Sequence, residues 1–282
     1  MLSALSSANI LAIVARMISG ISFRLVISER TATSVALKDN RRYQAKILPF
    51  LMRLTYPLAD AIVAVAQGVA DDLIRNYNVC PSKINVVYNP VVTKKLLELS
   101  ANRFEHQSFD DDEVSVILSV GRLASQKNFD LLIRAYSDLP HSVNACLVIL
   151  GEGELKQELV LLSEKLGISS RVYFPGFVKN PFMWMRRASL FVLSSDYEGL
   201  PGALIQAMAC GTPVVSTDCP SGPSEILESG KWGRLVPMND SKALAKAIAE
   251  TLLERRHPDV KLRARDFDVK RGSDGYQKVL QI

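Results

Sequence analysis

Cysteine and histidine are scarce in this chain of 282 residues, which has four cysteines and three histidines. No cysteines form a Cys-x-x-Cys pair, and none has the Cys/His spacing of a zinc site. The sequence therefore indicates neither a disulfide framework nor bound zinc. We expect each cysteine to pack as a small apolar side chain, which fits a reducing cytosol. The four are Cys80, Cys146, Cys210 and Cys219.

Long apolar runs are also lacking. Residues 10–14 are apolar, but Arg16 follows closely and the stretch is too short to span a bilayer. Residues 1–4 lack the basic leader of a signal peptide, and no convincing cleavage site follows. The sequence thus predicts a cytoplasmic protein that is neither secreted nor membrane-spanning. It also contains no repeats, coiled-coil heptads or low-complexity tracts.

Positive charge is concentrated in the first third of the chain. Residues 1–100 contain 12 Lys and Arg against 6 Asp and Glu, or +6, and residues 101–282 contain 22 against 23, or −1, which sum to +5. Part of the excess lies on a predicted helix at about 40–56, among apolar residues. Such a helix suits docking on anionic lipid, and it equally suits a core-facing helix with a solvated basic side. Its basic residues are Arg41, Arg42, Lys46 and Arg53.

Strand and helix patterns alternate on both sides of a polar, acidic connector at about 100–113. Before it, the pattern predicts strands at 23–28, 61–65 and 84–88, and helices at 3–18, 40–56 and 68–77. After it, the predicted strands are 114–120, 146–150, 171–174, 190–193, 213–217 and 234–236. The predicted helices there are 129–139, 154–166, 181–187, 203–209, 223–229 and 242–255. The predicted class is α/β, with a complete Rossmann-like domain after an incomplete one.

The most informative motif lies at 196–215, where a strand, an acidic turn, a helix and a strand follow one another. Pro201 stands where the first helical residue belongs. The backbone N–H groups of Gly199 and Leu200 would face an anion at the helix N-terminus, where the helix dipole favours it. Glu198, beside that anion site, would be free to accept hydrogen bonds from a neutral polyol.

This stretch, together with 221–227, resembles the signature of retaining GT-B glycosyltransferases of family four, the group 1 glycosyltransferases. In that family a Glu, seven residues and a second Glu hold the donor sugar and the ribose of a nucleotide sugar. The first position here is Glu198, but the second is Gln206. A glutamine amide can still hydrogen-bond a ribose hydroxyl, although it lacks the stronger contacts of a charged group.

A second motif, Gly121-Arg122-Leu123 followed by Lys127, matches the same family at the end of a predicted strand. Breaking a sugar–phosphate bond builds negative charge on the departing nucleoside diphosphate, and fixed cations there stabilise the transition state. Arg122 can bind phosphate oxygens bidentately, and Lys127 supplies a point charge. With both present a divalent metal is dispensable, so neither a metal nor a cofactor is expected.

Two further positions follow from the resemblance. Phe177 and Val178 match a segment whose backbone holds the nucleobase, and their main-chain contacts would suit uracil. The first predicted strand ends in Glu29 and Arg30, at a cleft-facing position where many members have a histidine near the reacting sugar. Glu29 or Arg30 would then orient the acceptor or the donor phosphate; the alternative is a salt bridge that supports the loop.

The resemblance implies a set of site residues and a division of the chain. The expected catalytic residues are Arg122, Lys127, Glu198 and Glu29. The expected donor-binding residues are Gly121, Arg122, Lys127, Phe177, Val178, Glu198, Gly199, Leu200 and Gln206. The expected domains are a partial acceptor-side domain at 1–107, a nucleotide-sugar-binding domain at 108–262 and a tail at 263–282 that packs back on the first. Because members usually carry further N-terminal strands, the chain is expected to be N-terminally shortened or unusually compact.

The leading hypothesis is therefore a retaining transferase that moves a hexose or N-acetylhexosamine from a UDP-sugar to a lipid-linked or polysaccharide acceptor. A second is a non-catalytic nucleotide-sugar-binding or partner subunit, suggested by Gln206 and the incomplete first domain. A third is a module that docks on the inner face of a membrane through the basic first hundred residues. A GT-B nucleotide-sugar epimerase is disfavoured by the glycine-arginine-leucine motif. Nucleic acid is not an expected partner.

Overall fold

The computed structural model describes residues 1–37, 44–102 and 113–281, with the side chains of 44–46 excepted. Within these ranges the chain forms two parallel β-sheets, each flanked by helices. The predicted α/β class with two parallel-sheet halves is confirmed. The proposed domain boundaries remain a prediction, and the acidic connector lies mostly outside the described residues, as do Arg41 and Arg42 and the side chain of Lys46.

The first sheet has the order β1-β2-β3-β4, and all of its described pairs are parallel. Its strands are β1 (Leu2–Ala4), β2 (Val26–Glu29), β3 (Ala61–Ala64) and β4 (Ile84–Val86). The helices around it are α1 (Ser6–Ser19), α2 (Thr33–Ala36), α3 (Gln44–Thr55) and α4 (Gln67–Tyr77). We call these elements the first unit.

The prediction of a helix from residue 3 is wrong at its start. Residues 2–4 form β1, which pairs with β2 so that Leu2 lies opposite Val26. The backbone nitrogen of Met1 donates to the carbonyl oxygen of Arg24 at 2.8 Å, which fixes the beginning of the strand. Three residues are too few to show a period-two pattern, and their partner lies more than twenty residues away. The pairing therefore has no local signal in the sequence.

The second sheet has the order β10-β9-β8-β5-β6-β7, again with parallel pairs. Its strands are β5 (Ser115–Val120), β6 (Ala145–Leu150), β7 (Val172–Gly176), β8 (Leu190–Leu193), β9 (Val214–Thr217) and β10 (Arg234–Val236). From β5 the chain adds strands on one side and then, from β8, on the other. This is the strand order of a complete Rossmann-like sheet, with a topological switch point between β5 and β8.

Helices cover both faces of the second sheet. They are α5 (Lys94–Ser100), α6 (Phe129–Ser137), α7 (Lys156–Lys165), α8 (Pro181–Arg187), α9 (Gly202–Cys210), α10 (Pro223–Ile226), α11 (Ser241–Leu253) and α12 (Val260–Ala264). Helix α5 packs against α8 and α9. Side-chain caps begin several of these helices; for example, Asn128 accepts from the N–H of Leu131, and Asp240 accepts from that of Ala243. We call these elements the second unit.

The central strands of the second unit are buried along their whole length. Every residue of β6, β8 and β9 is buried, as expected where helices cover both faces of a parallel sheet. The apolar stripe of α11, which includes Leu244 and Ile248, packs into one of the two cores on this sheet. The sheet is therefore a rigid support for the loops at its carboxyl edge.

The last helix, α13 (Val269–Leu280), returns to the first unit. Its Val279 packs in a cluster with Val26, Val63 and Val87 of the first unit. The Oη of Tyr276 lies 3.2 Å from the Oγ of Ser28 on β2. The tail of the chain thus contributes to the core beneath the first sheet.

The four cysteines differ in exposure. Cys80 is exposed, and its Sγ lies 3.1 Å from the Oγ of Ser82, so the expectation that it packs as a buried apolar side chain is wrong. The other three cysteines are buried.

Among the helices in the described ranges, none is both long and apolar enough to cross a membrane.

Candidate functional site

The switch point of the second sheet brings two loops together. Strand β5 pairs with β8, and the Oγ of Ser119 donates to the carbonyl oxygen of Val192 at 2.7 Å. Beyond the carboxyl ends of these strands, the chain continues into Gly121 on one side and Ser194 on the other. In open α/β sheets this crevice is where ligands bind.

An ion pair joins the two loops. The Nζ of Lys127 lies 2.5 Å from the Oε1 of Glu198, and the two side chains are 18% and 9% exposed. The same carboxylate oxygen accepts from the Oγ of Ser195 at 2.7 Å. The Oγ of Ser194 in turn donates to the carbonyl oxygen of Lys127 at 2.8 Å. The structure thus brings together two of the predicted catalytic residues, with opposite charges in contact.

Gln126 and Asn128 fix the same two loops. The Gln126 carbonyl accepts from the N–H of Asp196 at 2.9 Å, and its Nε2 donates to the carbonyl of Tyr197 at 2.9 Å. The Nδ2 of Asn128 donates to the Oδ1 of Asp196 at 2.7 Å. These bonds hold Glu198 at a defined position before any ligand arrives.

A cavity of about 350 Å³ opens beside the first of these loops. Most of its lining is apolar, Arg122 supplies a cation, and Phe177 is largely exposed. A cavity of this size and character suits a planar ring flanked by an anion. The lining residues are Val120, Gly121, Arg122, Leu150, Gly151, Glu152, Phe177, Val178 and Pro181.

Two glycines allow the cavity and the ion pair to adjoin. A Cβ added to Gly121 would lie 3.2 Å from the Cε of Lys127, so the lysine side chain lies across this glycine. Gly151 has φ +135°, and a Cβ added to it would lie 1.9 Å from the carbonyl oxygen of Gly121. Arg122, Lys127 and Glu198 are therefore grouped around Gly121 at one edge of the sheet.

The turn after Glu198 lies between the two units. A Cβ added to Gly199 would lie 1.9 Å from the carbonyl oxygen of Arg30, so only glycine fits against β2 here. Leu200 is buried in the core. Among the described residues, no acceptor pairs with the backbone N–H groups of Gly199 and Leu200. Such unpaired groups, in the turn just before the N-cap Pro201 of α9, suit an anion.

Glu29 differs from the expectation of a cleft-facing carboxylate. It is 2% exposed, and it accepts from the Oγ of Ser6, from the Oη of Tyr56 at 2.6 Å and from the N–H of Arg30. Burial raises the pKa of Glu29 above its ordinary value. Its partners among the described residues are hydroxyl and backbone groups, so within these residues Glu29 forms no salt bridge. The carboxylate acts inside the first unit and supports the backbone at Arg30.

Gln206 is half-buried on α9, one helix turn beyond the turn at 199–201. No residue in the described part of the chain hydrogen-bonds its amide.

Burial and, to a smaller extent, the charge of Glu198 raise the pKa of the Cys219 thiol to about 12. That thiol is neutral at ordinary pH and cannot serve as a nucleophile there.

The described ranges contain no cluster of three or more His, Cys, Asp or Glu that is arranged to hold a metal ion. Arg122, Lys127 and the backbone N–H groups of the turn at 199–200 are groups at this site that could contact an anion.

Comparison with known proteins identifies the family. The sequence profile described as "Glycosyl transferases group 1" matches residues 100–265, which are 166 of the 282 residues. The chain belongs to the group 1 glycosyltransferases. A second profile, "Glycosyltransferase Family 4", matches residues 6–95 of the same chain. The two matches together cover both sheets except for β1.

Curated relatives include transferases of lipid-linked and lipopolysaccharide sugars. The N-acetylgalactosamine-N,N'-diacetylbacillosaminyl-diphospho-undecaprenol 4-alpha-N-acetylgalactosaminyltransferase of Campylobacter jejuni is 36% identical over 250 residues, 89% of this chain and 66% of the relative. The lipopolysaccharide 1,6-galactosyltransferase of Escherichia coli is 29% identical over 188 residues, 64% of this chain and 49% of the relative. This group 1 glycosyltransferase thus spans about two thirds of the first relative and half of the second.

Solved structures show the same fold. The apo form of the lipopolysaccharide outer core galactosyltransferase WaaB has a TM-score of 0.76 at 21% identity, over 99% of this chain and 74% of that one. Anabaena Alr3699/HepE in complex with UDP and glucose has a TM-score of 0.78 at 20% identity, over 100% and 78%. The expectation that this group 1 glycosyltransferase has a GT-B fold is confirmed.

Sequence reasoning missed residues that support the site of this group 1 glycosyltransferase. Ser195 stands three residues before Glu198, so the motif itself could have drawn attention to it. Gln126 lies within the Gly121-to-Lys127 segment, but its partner Tyr197 comes from another loop, and no local pattern reveals that contact. The same is true of Tyr56 and Ser6, which meet Glu29 only in the folded chain.

Proposed function

We propose that this chain binds a UDP-sugar at the switch point of its second sheet and transfers the sugar to a lipid-linked or polysaccharide acceptor with retention. The sugar is a hexose or an N-acetylhexosamine. The observation that carries this proposal is the Lys127–Glu198 pair, which lies beside Gly121 and Arg122 at the carboxyl ends of two central strands.

The donor would lie across the cavity and the ion pair. The cavity beside Phe177 and Val178 takes the nucleobase, with backbone groups as its polar contacts. Arg122 and Lys127 meet the diphosphate. The unpaired N–H groups of Gly199 and Leu200 add donors from the turn that precedes α9.

Glu198 and Gln206 would hold the neutral parts of the donor. Glu198 accepts hydrogen bonds from sugar hydroxyls once the ammonium group of Lys127 also contacts the diphosphate. Gln206, half-buried on α9, can bond a ribose hydroxyl through its amide. The amide carries no charge, so this contact is weaker than that of a carboxylate.

The chemistry of retention needs no protein nucleophile. The bond between the anomeric carbon and the diphosphate oxygen breaks, and its electron pair goes to the leaving group. The acceptor hydroxyl oxygen bonds to the same face of the sugar, and its proton passes to the leaving phosphate. Arg122 and Lys127 stabilise the charge that develops on the diphosphate, and the cleft holds the reactants in position.

Glu29 has an indirect part in this proposal. Its carboxylate bonds the N–H of Arg30, whose carbonyl oxygen lies against Gly199. It therefore positions the wall of the cleft opposite the turn at 198–200, which we call the donor turn. Arg30 remains available to orient the acceptor or a phosphate from that wall.

The names of similar proteins support the donor and acceptor classes. The Campylobacter relative is named for the transfer of N-acetylgalactosamine to a sugar on diphospho-undecaprenol, and the Escherichia coli relative for lipopolysaccharide. The Anabaena structure contains UDP and glucose. These names make UDP-hexoses and UDP-N-acetylhexosamines the donors to test, with an undecaprenyl-diphosphate-linked sugar as acceptor.

The direct test measures UDP release from each donor with the purified chain, with and without acceptor. We expect acceptor-dependent release and, by NMR, a product with the anomeric configuration of the donor. An inverted product would contradict the retaining mechanism. Donor hydrolysis that is identical with and without every acceptor would contradict transfer.

A non-catalytic nucleotide-sugar-binding subunit is the alternative, and Gln206 in place of a carboxylate favours it. Binding of UDP without transfer to any acceptor would support this alternative. The Gln206→Glu variant separates the two cases further. If the chain is an enzyme whose activity is limited by Gln206, the variant should bind UDP more tightly and transfer the sugar faster.

Peripheral membrane contact is a further part of the proposal. Helices α1 and α3 pack against each other, and both expose large apolar residues. On α1 the exposed side chains include Leu11 and Ile18, the latter 82% exposed, and on α3 they include Phe50 and Leu54. Amphipathic helices with neighbouring basic charge bind anionic lipid surfaces.

Co-sedimentation with vesicles tests this contact. We expect binding to vesicles with phosphatidylglycerol, weaker binding to neutral vesicles, and a loss of binding when Ile18 and Phe50 are both changed to Ser. Binding that ignores lipid charge, salt and these two side chains would contradict docking through this surface.

A further inference from the structure

A carboxylate of the second unit caps a helix of the first. Both carboxylate oxygens of Glu225 on α10 accept from the backbone N–H of Gln67, at 3.0 and 2.8 Å. Gln67 is the first residue of α4, and its own N-cap, Ala66, has no side chain that can cap the helix. The N-terminus of α4 therefore receives its charged cap from the other unit.

A second hydrogen bond reinforces this contact. The Oη of Tyr88, which follows β4 of the first unit, donates to the Oε1 of Glu225 at 2.8 Å. Burial and the bond to Glu225 raise the pKa of Tyr88 to about 12, so it remains a donor at ordinary pH. We call these contacts of Glu225 with Gln67 and Tyr88 the cleft clamp.

The segment before Glu225 connects the cleft clamp to the donor turn. The Oγ of Ser221 donates to the carbonyl oxygen of Gly199 at 2.8 Å, and the carbonyl of Pro220 accepts from the N–H of Glu198. On its other side, Ser221 lies against α4, because a Cβ added to Gly68 would lie 2.9 Å from the Cα of Ser221. Residues 220–225 thus bind both the donor turn and α4.

Arg263 holds the backbone of α10 in place. Its Nε donates to the carbonyl oxygen of Ile226 at 2.9 Å, and its Nη2 donates to that of Glu225 at 2.8 Å. Arg263 is itself buried and paired with Asp266. Glu225 therefore extends from a fixed base, so its carboxylate is held rigidly toward α4.

We infer that Glu225 is a positioning residue: by capping α4 across the cleft, it keeps the donor turn at 198–200 against the wall formed by Arg30. This inference rests on the proposed function for its effect on the donor, but the cleft clamp itself does not. When the cap is lost, the two units separate more readily, and a donor that needs the closed cleft binds in proportion to the closed fraction.

Hydrogen–deuterium exchange at the Gln67 amide tests the cleft clamp without any ligand. The N–H of Gln67 bonds to Glu225, so Glu225→Ala should speed its exchange by about tenfold, the factor that corresponds to one helix cap. Glu225→Gln keeps the shape but not the charge and should show a smaller increase. Tyr88→Phe keeps the cap and should show the smallest.

Glu228→Gln is the matched control. Glu228 also carries a carboxylate close to α10, but its partners Lys231 and Arg263 both belong to the second unit. Arg263 keeps Asp266 and its two backbone acceptors on α10 when Glu228 is neutralised. This variant removes one charge at nearly the same place, and it should leave exchange at Gln67 unchanged.

The second measurement is the dissociation constant of UDP, by calorimetry. We expect UDP to bind Glu225→Ala up to about tenfold more weakly, Glu225→Gln less so, and Glu228→Gln as it binds the natural chain. A merely structural role would lower the folded fraction, which circular dichroism reports, without changing the affinity of the folded protein.

Each outcome decides one point. Exchange at Gln67 that is the same in Glu225→Gln, Glu225→Ala and the natural chain would overturn the cleft clamp. Faster exchange with unchanged UDP affinity would overturn the role of Glu225 in positioning the donor turn. Failure of the natural chain to bind UDP would count against the proposed function, while the exchange experiment would still test the cleft clamp.

Discussion

At the scale of single residues, the site depends on an ion pair whose two charges compensate each other when no ligand is bound. Lys127 and Glu198 are in contact and mostly buried, and Ser195 adds a hydrogen bond. Removing one partner of such a partly buried ion pair leaves the other charge uncompensated. This costs much more stability than the intact pair contributes. In the proposed function, the donor diphosphate would therefore have to compensate the charge of Lys127 when Glu198 contacts the sugar.

Removal of the lysine should reduce turnover more than donor binding. Lys127→Ala is expected to lower kcat about 10²–10³-fold with a smaller change in the donor KM, because its charge matters most as the leaving group becomes negative. Steady-state kinetics with the active UDP-sugar measures both constants. Lys165→Ala, on the exposed end of α7, is the control. Equal losses of kcat in the Lys127→Ala and Lys165→Ala variants would contradict a role for Lys127 in the transfer.

Glu29 should make stability depend on pH. Because burial raises its pKa in the folded state, the folded chain binds more protons than the unfolded chain just above the ordinary pKa. The contribution of Glu29 is therefore present at low pH and is lost as pH rises through the folded pKa. Glu29→Gln should show a flatter profile of unfolding free energy from pH 4.5 to 8 in urea titrations. Parallel profiles of variant and natural chain would contradict this.

The four thiols should differ in reactivity. Cys80 is exposed, and its hydrogen bonds with Ser82 lower the pKa of its thiol. Burial raises the pKa of Cys210 to about 11 and that of Cys219 to about 12. Iodoacetamide at pH 8 should therefore modify Cys80 first in the folded chain, as peptide mass spectrometry would show. Equal labelling of Cys80 and Cys219 would contradict the structure.

At the scale of elements, the donor turn depends on a close approach between a loop and a strand end. Gly199 lies so near the carbonyl of Arg30 that no side chain fits, whereas Gly202, three residues later at the start of α9, has open space around its Cα. These two glycines provide a matched pair within one segment.

Gly199→Ala should destabilise the chain by about 1–3 kcal/mol, since the added methyl group must displace the turn or β2. It should also weaken UDP binding. Gly202→Ala should be neutral or stabilising by up to about 1 kcal/mol, because it replaces a glycine within a helix. Chemical denaturation and calorimetry of both variants check this. Similar results for the two would show that the contact with Arg30 does not constrain the turn.

At the scale of the whole molecule, the chain joins its two sheets more than once. Helix α13 follows the second sheet in sequence but places Val279 in the core of the first. The cleft clamp of Glu225 and the contact of Gly199 with Arg30 join the units at the cleft. The geometry of the cleft therefore depends on segments that are far apart in sequence.

Truncation of the buried contact of α13 should weaken the first unit. Val279→Ala is expected to cost about 2 kcal/mol, from lost apolar burial and the cavity left behind. Val269→Ala, at an exposed position of the same helix, should cost little. Urea unfolding of both variants checks the difference. An equal cost at the two positions would mean that α13 does not stabilise the first sheet.

Much of the fold was predictable from the sequence, because the second unit has long, regular patterns. Strands such as Leu190–Leu193 and Ala145–Leu150 are continuous apolar runs between turn residues, which is typical of buried parallel strands. Strand β1 was not predictable, because it is short and pairs with a distant strand. Helix α5 and the two last helices also had no clear pattern in the sequence.

The site was predictable to a lesser degree. The sequence pointed to Arg122, Lys127 and Glu198 because each stands next to a strand end in a recognisable motif. It placed Glu29 at the cleft, whereas the fold turns its carboxylate toward Ser6 and Tyr56. Side-chain direction at a strand end depends on what packs beside the strand, and that information is not local.

The sequence by itself determined the α/β class, the helix and strand pattern of the second unit and the chemistry of its two motifs, because these follow from local apolar patterns and turn residues. The tertiary structure alone decided that Lys127 and Glu198 form a pair, that Glu29 is buried and that Glu225 caps α4. Each of these is a contact between side chains or backbone groups far apart along the chain. Such contacts are set by the packing of whole sheets and helices, which no short stretch of sequence contains.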